Sequence, residues 1–264
     1  MMGTNSMIKT GAARPGLNKM IKRTKTTNVN KLPKITNFGL SNCTNLVIYG
    51  SNLGSTVNKG RFPVSLQKLI YLPPDSYSMI VGQLLSDGWL EKYSLNSNTR
   101  FKFKQSLTRA DYVIYSFMVL SHYCSNIPYT VKSKRKGNIH YGLVFSTRYL
   151  PCFNELYVLF YKDKVKVVPD CIYNLLTPIA LAHWIMGDGA ILNKGLVLCT
   201  DSFTLQEVVK LMNVLKIKYN INSTIQGIKN QRPRIYILPE SMPKLRELVK
   251  PYMLPSLWYK LNLK

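Results

Sequence analysis

The sequence predicts an α+β fold in which one αββαββα unit occurs twice about a pseudo-twofold axis, with two central helices packed together and the hairpins joined in an antiparallel β saddle. Three observations predict it. Segments recur in the same order in both halves of the chain. Helical and strand periodicities alternate in the same order each time. Each half opens with a helix that is apolar on most faces, and it must be buried on most of them, most simply against its own copy.

The repeat rests on three pairs of segments. "LLSDG" ending at Gly88 matches "IMGDG" ending at Gly189, "QSLTRADYV" from Gln105 matches "DSFTLQEVV" from Asp201, and "YLPCFNELYVLFY" from Tyr149 matches "SMPKLRELVKPYM" from Ser241. The offsets fall from 101 (Asp87 to Asp188) to 96 (Gln105 to Asp201) to 92 (Pro151 to Pro243), differences small enough to lie in hairpin loops. The repeats are expected over residues 46–165 and 166–264.

In the first repeat, Ser76 to Ser86 has helical apolar spacing, and Trp89 to Leu95 and Arg100 to Ser106 alternate around "NSNT" as a hairpin. Ala110 to Cys124 is helical again. A second hairpin, Tyr129 to Ser133 and Ile139 to Ser146, turns at "KRKGN", and Pro151 opens the third helix where proline is tolerated. The second repeat follows the same plan. Its hairpins turn at "NKG" (Asn193 to Gly195) and "KNQRP" (Lys229 to Pro233), and its middle helix, Leu205 to Ile217, sets Val208, Leu211, Met212 and Leu215 on one face.

Charge narrows the function. Against 36 Lys and Arg stand 12 Asp and Glu, a net charge of +24 that repels itself unless a polyanion neutralises it. Nucleic acid is the first partner to consider, with a ribosomal or membrane-surface role as the alternative. The first acidic residue is Asp75, so residues 1–45 form a basic segment expected to be mostly disordered. Lys19 to Lys25 reads equally as part of an organelle-targeting stretch or as a tail that touches phosphates. Five cysteines without CxxC pairing and three histidines away from any ligand-like cysteine spacing disfavour a zinc site, and no apolar run approaches membrane-spanning length.

The nonapeptides "IVGQLLSDG" (80–88) and "LAHWIMGDG" (181–189) resemble the signature of the LAGLIDADG homing endonucleases in their single-chain, two-motif form. The tail "YMLPSLWYKL" also resembles that family. The first copy keeps Gly82, Asp87 and Gly88, and the second keeps Leu181, Ala182, Ile185, Asp188 and Gly189. Leu85 and Met186 stand where an acid is frequent, and His183, read as a packed or rim residue, replaces a small one.

Packing the two helices brings Asp87 and Asp188 together at the helix ends. A glycine after each aspartate lets the chain leave the helix sharply, in the manner of a C-capping glycine, and exposes the preceding carbonyls of Ser86 and Gly187. Such hard oxygen ligands suit two or more Mg²⁺ ions, with Mn²⁺ as a substitute, one centre for each strand of a duplex. The resemblance implies catalytic roles for Lys166, Lys260 and Gln105, and a basic neighbour in Arg109. It also implies a monomer, a long double-stranded DNA target cut to leave 3′ overhangs, and, by kinship with fungal intron-encoded members, a mitochondrial location.

"RFKFK" sets Arg100, Lys102 and Lys104 on one side of a strand and Phe101 and Phe103 on the other, as a half-buried strand lying on DNA requires. Two-stranded ribbons fit the major groove. Lys132, Lys134, Arg135, Lys136 and Asn138 load one hairpin, Lys194 another, and Lys229, Gln231, Arg232 and Arg234 a third. Two rival functions stay open: an RNA maturase that assists intron splicing, alone or alongside cleavage, and a DNA-binding module without catalysis.

Overall fold

The computed structural model describes residues 48–49 and 56–263, except 95, 136 and 228–231; the segment 1–45, with its expected disorder, lies outside them. The described chain falls within one compact unit. It opens with β1 (Ile48–Tyr49), α1 (Val64–Leu69) and β2 (Ile70–Tyr71), β1 and β2 pairing in parallel. The first repeat comprises α2 (Pro74–Leu84), β3 (Trp89–Lys92), β4 (Thr99–Ser106), α3 (Ala110–Leu120), β5 (Tyr129–Arg135), β6 (Asn138–Ser146) and α4 (Asn154–Phe160). A short hairpin, β7 (Tyr161–Lys162) and β8 (Val165–Lys166), and one helical turn, α5 (Ile172–Leu175), follow. The second repeat comprises α6 (Pro178–Asp188), β9 (Gly189–Leu192), β10 (Gly195–Leu198), α7 (Leu205–Tyr219), β11 (Ser223–Gln226), β12 (Arg234–Ile237) and α8 (Met242–Val249). A 3₁₀ segment, Pro255–Leu261, closes the fold.

Both repeats build the same four-stranded antiparallel sheet, ordered β3-β4-β6-β5 and β9-β10-β12-β11. On the inner face Phe101, Phe103 and Phe145 of one sheet, and Leu196, Leu198, Ile235 and Ile237 of the other, are fully buried. Side chains alternate along β4, so Arg100, Lys102 and Lys104 stay on the outer face. Local signals fix the helices. Pro74 and Pro178 occupy first-turn positions, and Thr177 accepts a hydrogen bond from the Ala180 amide. A Thr204–Glu207 capping box starts α7, and Asn220 ends it in the left-handed region.

Strand register and burial revise two of the repeat offsets. Trp89 pairs with Lys102 and Ala190 with Val197, and the buried Val113, Ser116 and Leu120 of α3 correspond to Val208, Leu211 and Leu215 of α7. The second offset is therefore 95 (Leu120 to Leu215) instead of 96, and Gln105 corresponds to Thr200 instead of Asp201. Likewise Leu156 and Phe160 match Leu245 and Val249, an offset of 89 instead of 92. The sequence match aligned identical letters, whereas the core aligns buried positions.

Helices α2 and α6 pack face to face, buried along almost their whole length. A methyl group at Gly82 would overlap the Ala180 carbonyl oxygen and stand 2.8 Å from His183 Cβ, so Gly82 makes the room that the bulk of His183 removes. The glycines that follow the aspartates act differently from the expectation. Gly189 is extended (φ −74°, ψ 141°), and Gly88 is not among the positive-φ residues. They are required for close approach: an added Cβ would stand 2.8 Å from the Gln83 oxygen at Gly88 and 2.6 Å from the Ile185 oxygen at Gly189.

Candidate nuclease site and nucleic-acid surface

The helix contact brings the two aspartates to one place. Asp188 is the last residue of α6, and Asp87 follows the end of α2, where the Gly88 amide donates to the Gln83 oxygen at 2.7 Å. Asp87 Oδ2 lies 3.7 Å from where a Cβ on Gly187 would stand, so the Asp87 carboxylate reaches across towards α6. Gln105 Nε2 donates to Asp87 Oδ2 at 2.5 Å and fixes that carboxylate.

Each helix ends on a lysine. Lys166 Nζ donates to the carbonyls of Gly88 (2.6 Å) and Ser86 (3.3 Å), and Lys260 Nζ to those of Met186 (2.6 Å), Gly187 (2.9 Å) and Ile185 (3.3 Å). The last carbonyls of a helix lack intrahelical partners and carry its negative end, so an ammonium group satisfies both needs. Arg109 Nη1 adds a bond to the Gly187 carbonyl at 3.3 Å. The Ser86 carbonyl thus accepts from one cationic side chain and retains a lone pair for a further partner, whereas the Gly187 carbonyl already accepts from two, so the long Arg109 bond would give way to an ion bound there.

Burial and the neighbouring Asp87 push the Asp188 carboxyl up to about 7, against the pull of Lys260 and Lys166. Burial lowers both lysines to about 8, for Lys260 with a contribution from Arg109, while the aspartates hold them up. Two close carboxylates, one shifted upwards by burial and by the other, form with the neighbouring backbone carbonyls a donor set that suits a hard cation. Among the described residues no group of three or more His, Cys, Asp or Glu gathers, so a bound ion would take its remaining ligands from water and phosphate, as Mg²⁺ does.

These shifts carry two predictions. Asp188 holds a proton in the folded chain between about 4 and 7 that the unfolded chain has released, so its burial penalty grows as pH rises through that window and is complete above it. Metal-free Asp188→Asn protein is expected to be more stable than wild type at pH 8, by on the order of 1–2 kcal/mol, and to lose this advantage at pH 4, as read from urea midpoints. Lys260 is only 2% exposed. Lys260→Met keeps the packing but leaves the Met186 carbonyl without its donor, at a cost of about 2 kcal/mol in the same measurement.

His183 is a core residue. It is 2% exposed, Tyr112 Oη lies 3.0 Å from its Nδ1, and burial lowers it to about 3, which keeps it neutral. The same hydroxyl approaches Gln83, whose amide donates to Ser116 at 2.7 Å. The sequence reading missed this buried network because Gln83 on α2 and Tyr112 and Ser116 on α3 each look like ordinary helical residues.

The expected basic residues are exposed on the sheets and their turns, but Lys132 and Lys134, opposite Tyr141 and Ile139, lie on the side of Phe145 and not on that of Arg100, Lys102 and Lys104. Lys132 and Lys134 on β5, Asn138 on β6, Lys194 in the β9–β10 turn and Arg232 and Arg234 near β12 are exposed. Arg135 ends β5, and Lys136, Lys229 and Gln231 lie outside the described residues. Two acids were not foreseen there: Glu91 binds Arg100 and Lys102, and Asp201 binds Arg234.

A family model described as the LAGLIDADG DNA endonuclease family matches residues 77–245. The chain belongs to this family. The solved structure of the homing endonuclease I-WcaI bound to its DNA recognition sequence is similar, with a TM-score of 0.70 and 28% identity, covering 78% of this chain and 96% of that one. The cytochrome b mRNA maturase bI2 of Debaryomyces hansenii is 39% identical over 197 residues, 72% of this chain and 75% of its own length. The protein of the same name from Saccharomyces cerevisiae is 41% identical over 198 residues, 70% of this chain but 47% of its own. The chain therefore spans about half the length of that second relative. The LAGLIDADG helices are α2 and α6, and the family fold accounts for the duplicated unit.

Proposed function

We propose that this LAGLIDADG protein cleaves both strands of a long, imperfectly symmetric DNA duplex, with Asp87 serving one strand and Asp188 the other. The observation that carries this reading is the paired construction of the site: two carboxylates at abutting helix ends, each beside a lysine that grips the carbonyls of its own helix. Asp87, Asp188 and the carbonyls of Ser86 and Gly187 hold divalent ions, Mg²⁺ or in its place Mn²⁺. Bound there, such ions would activate water and stabilise the leaving oxygen.

The protein's own groups do the rest. Gln105 aims the Asp87 carboxylate, while Lys166 and Lys260 lock the helix ends and put positive charge beside the phosphate to be cut. Residues 46–165 and 166–264 each supply one aspartate, and the protein acts as a monomer on DNA in an organelle.

The maturase names of two relatives favour a second reading, assistance to intron splicing. One experiment separates them. The full chain is incubated with duplexes spanning intron-insertion sequences in Mg²⁺ and, separately, with the corresponding precursor RNA. Duplex cleavage is the expected result; accelerated splicing without cleavage would replace the nuclease reading with the maturase one.

A further inference from the structure

Glu91 and Asp201 are two of only 12 acidic residues in the chain, and both stand beside the outer sheet surface that carries its cations. A carboxylate there repels a polyanion, so its placement needs a compensating role. In the first sheet Glu91 is the cross-strand partner of Arg100. Its Oε2 accepts from Arg100 Nε and Nη2, both at 2.7 Å, and lies 2.8 Å from Lys102 Nζ. The Arg100 guanidinium also lies 4.6 Å from the centre of the Tyr149 ring. In the second sheet Asp201 receives Arg234 Nε and Nη2 on its two oxygens, both at 2.8 Å.

The two clamps differ in how many carboxylate oxygens they use, one in Glu91 and two in Asp201, but they take the same edge of the guanidinium. Each carboxylate holds the Nε edge of its arginine and leaves Nη1 and the outer hydrogen of Nη2, two parallel donors, without a hydrogen bond among the described residues. That free fork matches the O6 and N7 acceptors that guanine shows in the major groove. The exposed Lys132 and Lys134 are in none of the chain's described ion pairs and suit phosphates.

Resting on the nuclease reading above, we propose that Arg100, held by Glu91 and Tyr149, and Arg234, held by Asp201, each specify one guanine, one in each half of the target. The arginines occupy different strands of their sheets, so the two guanines need not lie at mirrored positions. Fixing the fork in advance lowers the entropy lost on contact and makes a wrong base unable to recruit the donors by rotation. Isolated exposed pairs contribute little to stability, so folding alone gives these acids little reason to be there.

The test profiles binding in Ca²⁺ and cleavage in Mg²⁺ across all single-base variants of a duplex the wild type cuts. Wild type should prefer guanine about tenfold at one position in each half. Arg100→Gln should erase the preference in one half and Arg234→Gln in the other. Glu91→Gln and Asp201→Asn should weaken the same preference while nonspecific duplex binding rises, a combination that loss of structure would not produce. Arg100→Lys, which keeps the charge, should behave as Arg100→Gln does. Cutting with unaltered base preference in both arginine variants overturns this inference alone; a wild type that neither binds nor cuts any duplex overturns the nuclease reading with it.

Discussion

Asp87→Asn and Asp188→Asn should each abolish double-strand cleavage, with the rate on the affected strand falling at least about a thousandfold. A metal centre contributes several kcal/mol of transition-state stabilisation, and each 1.36 kcal/mol is tenfold in rate. Asparagine preserves shape and removes the charge that would hold the ion, so binding of the duplex should persist. The two variants should differ in detail. Asp87 is braced by Gln105 and exposed, whereas Asp188 is half-buried and shifted upwards. Asp188→Asn should therefore gain stability as it loses activity. A gel that resolves both strands checks the catalytic loss, and urea unfolding checks the stability gain.

Gly82→Ala should destabilise the fold by about 3 kcal/mol or more, measured by urea or thermal unfolding. The added methyl would overlap a backbone oxygen of α6, the carbonyl of Ala180, which cannot rotate away as a side chain does. The helices would have to separate, and their separation would also pull Asp87 from Asp188. Cleavage should fall by more than the loss of folded protein accounts for. Alanine at 183 keeps the Cβ atom that the new methyl meets and leaves the carbonyl in place, so a double variant with His183→Ala should recover none of the lost stability.

Much of this arrangement was legible in the sequence because two independent periodicities agreed. The alternation in "RFKFK" separated Phe101 and Phe103 from Arg100, Lys102 and Lys104, and the fold puts the phenylalanines in the core and the cations outside. The aspartates were legible because each occupies the same place in a repeated motif, and the lysines through the family resemblance, supported by their equivalent places after the third helix of each repeat. Other features depend on distances that spacing does not encode. The bond from Gln105 to Asp87 joins a strand to a helix end, and the network of Tyr112, Gln83, Ser116 and His183 joins three helices. The clamps on Arg100 and Arg234 depend on strand register and on the course of a loop after β10. Register also corrected the repeat offsets, since loops absorb insertions that letter matching places elsewhere. The glycines after the aspartates were recognised as necessary, but for their conformation instead of for the closeness of the backbone beside them.

The central claim is that one site, built from two helix ends, cuts both strands of DNA. The most direct test is to map the ends produced when the full chain digests duplexes spanning intron-insertion sequences, in Mg²⁺ and in Ca²⁺. One break on each strand, close together, leaving 3′ overhangs and appearing in Mg²⁺ but not in Ca²⁺, is the predicted result. Tight duplex binding with no break in Mg²⁺, or breaks confined to one strand however long the digestion, would contradict it.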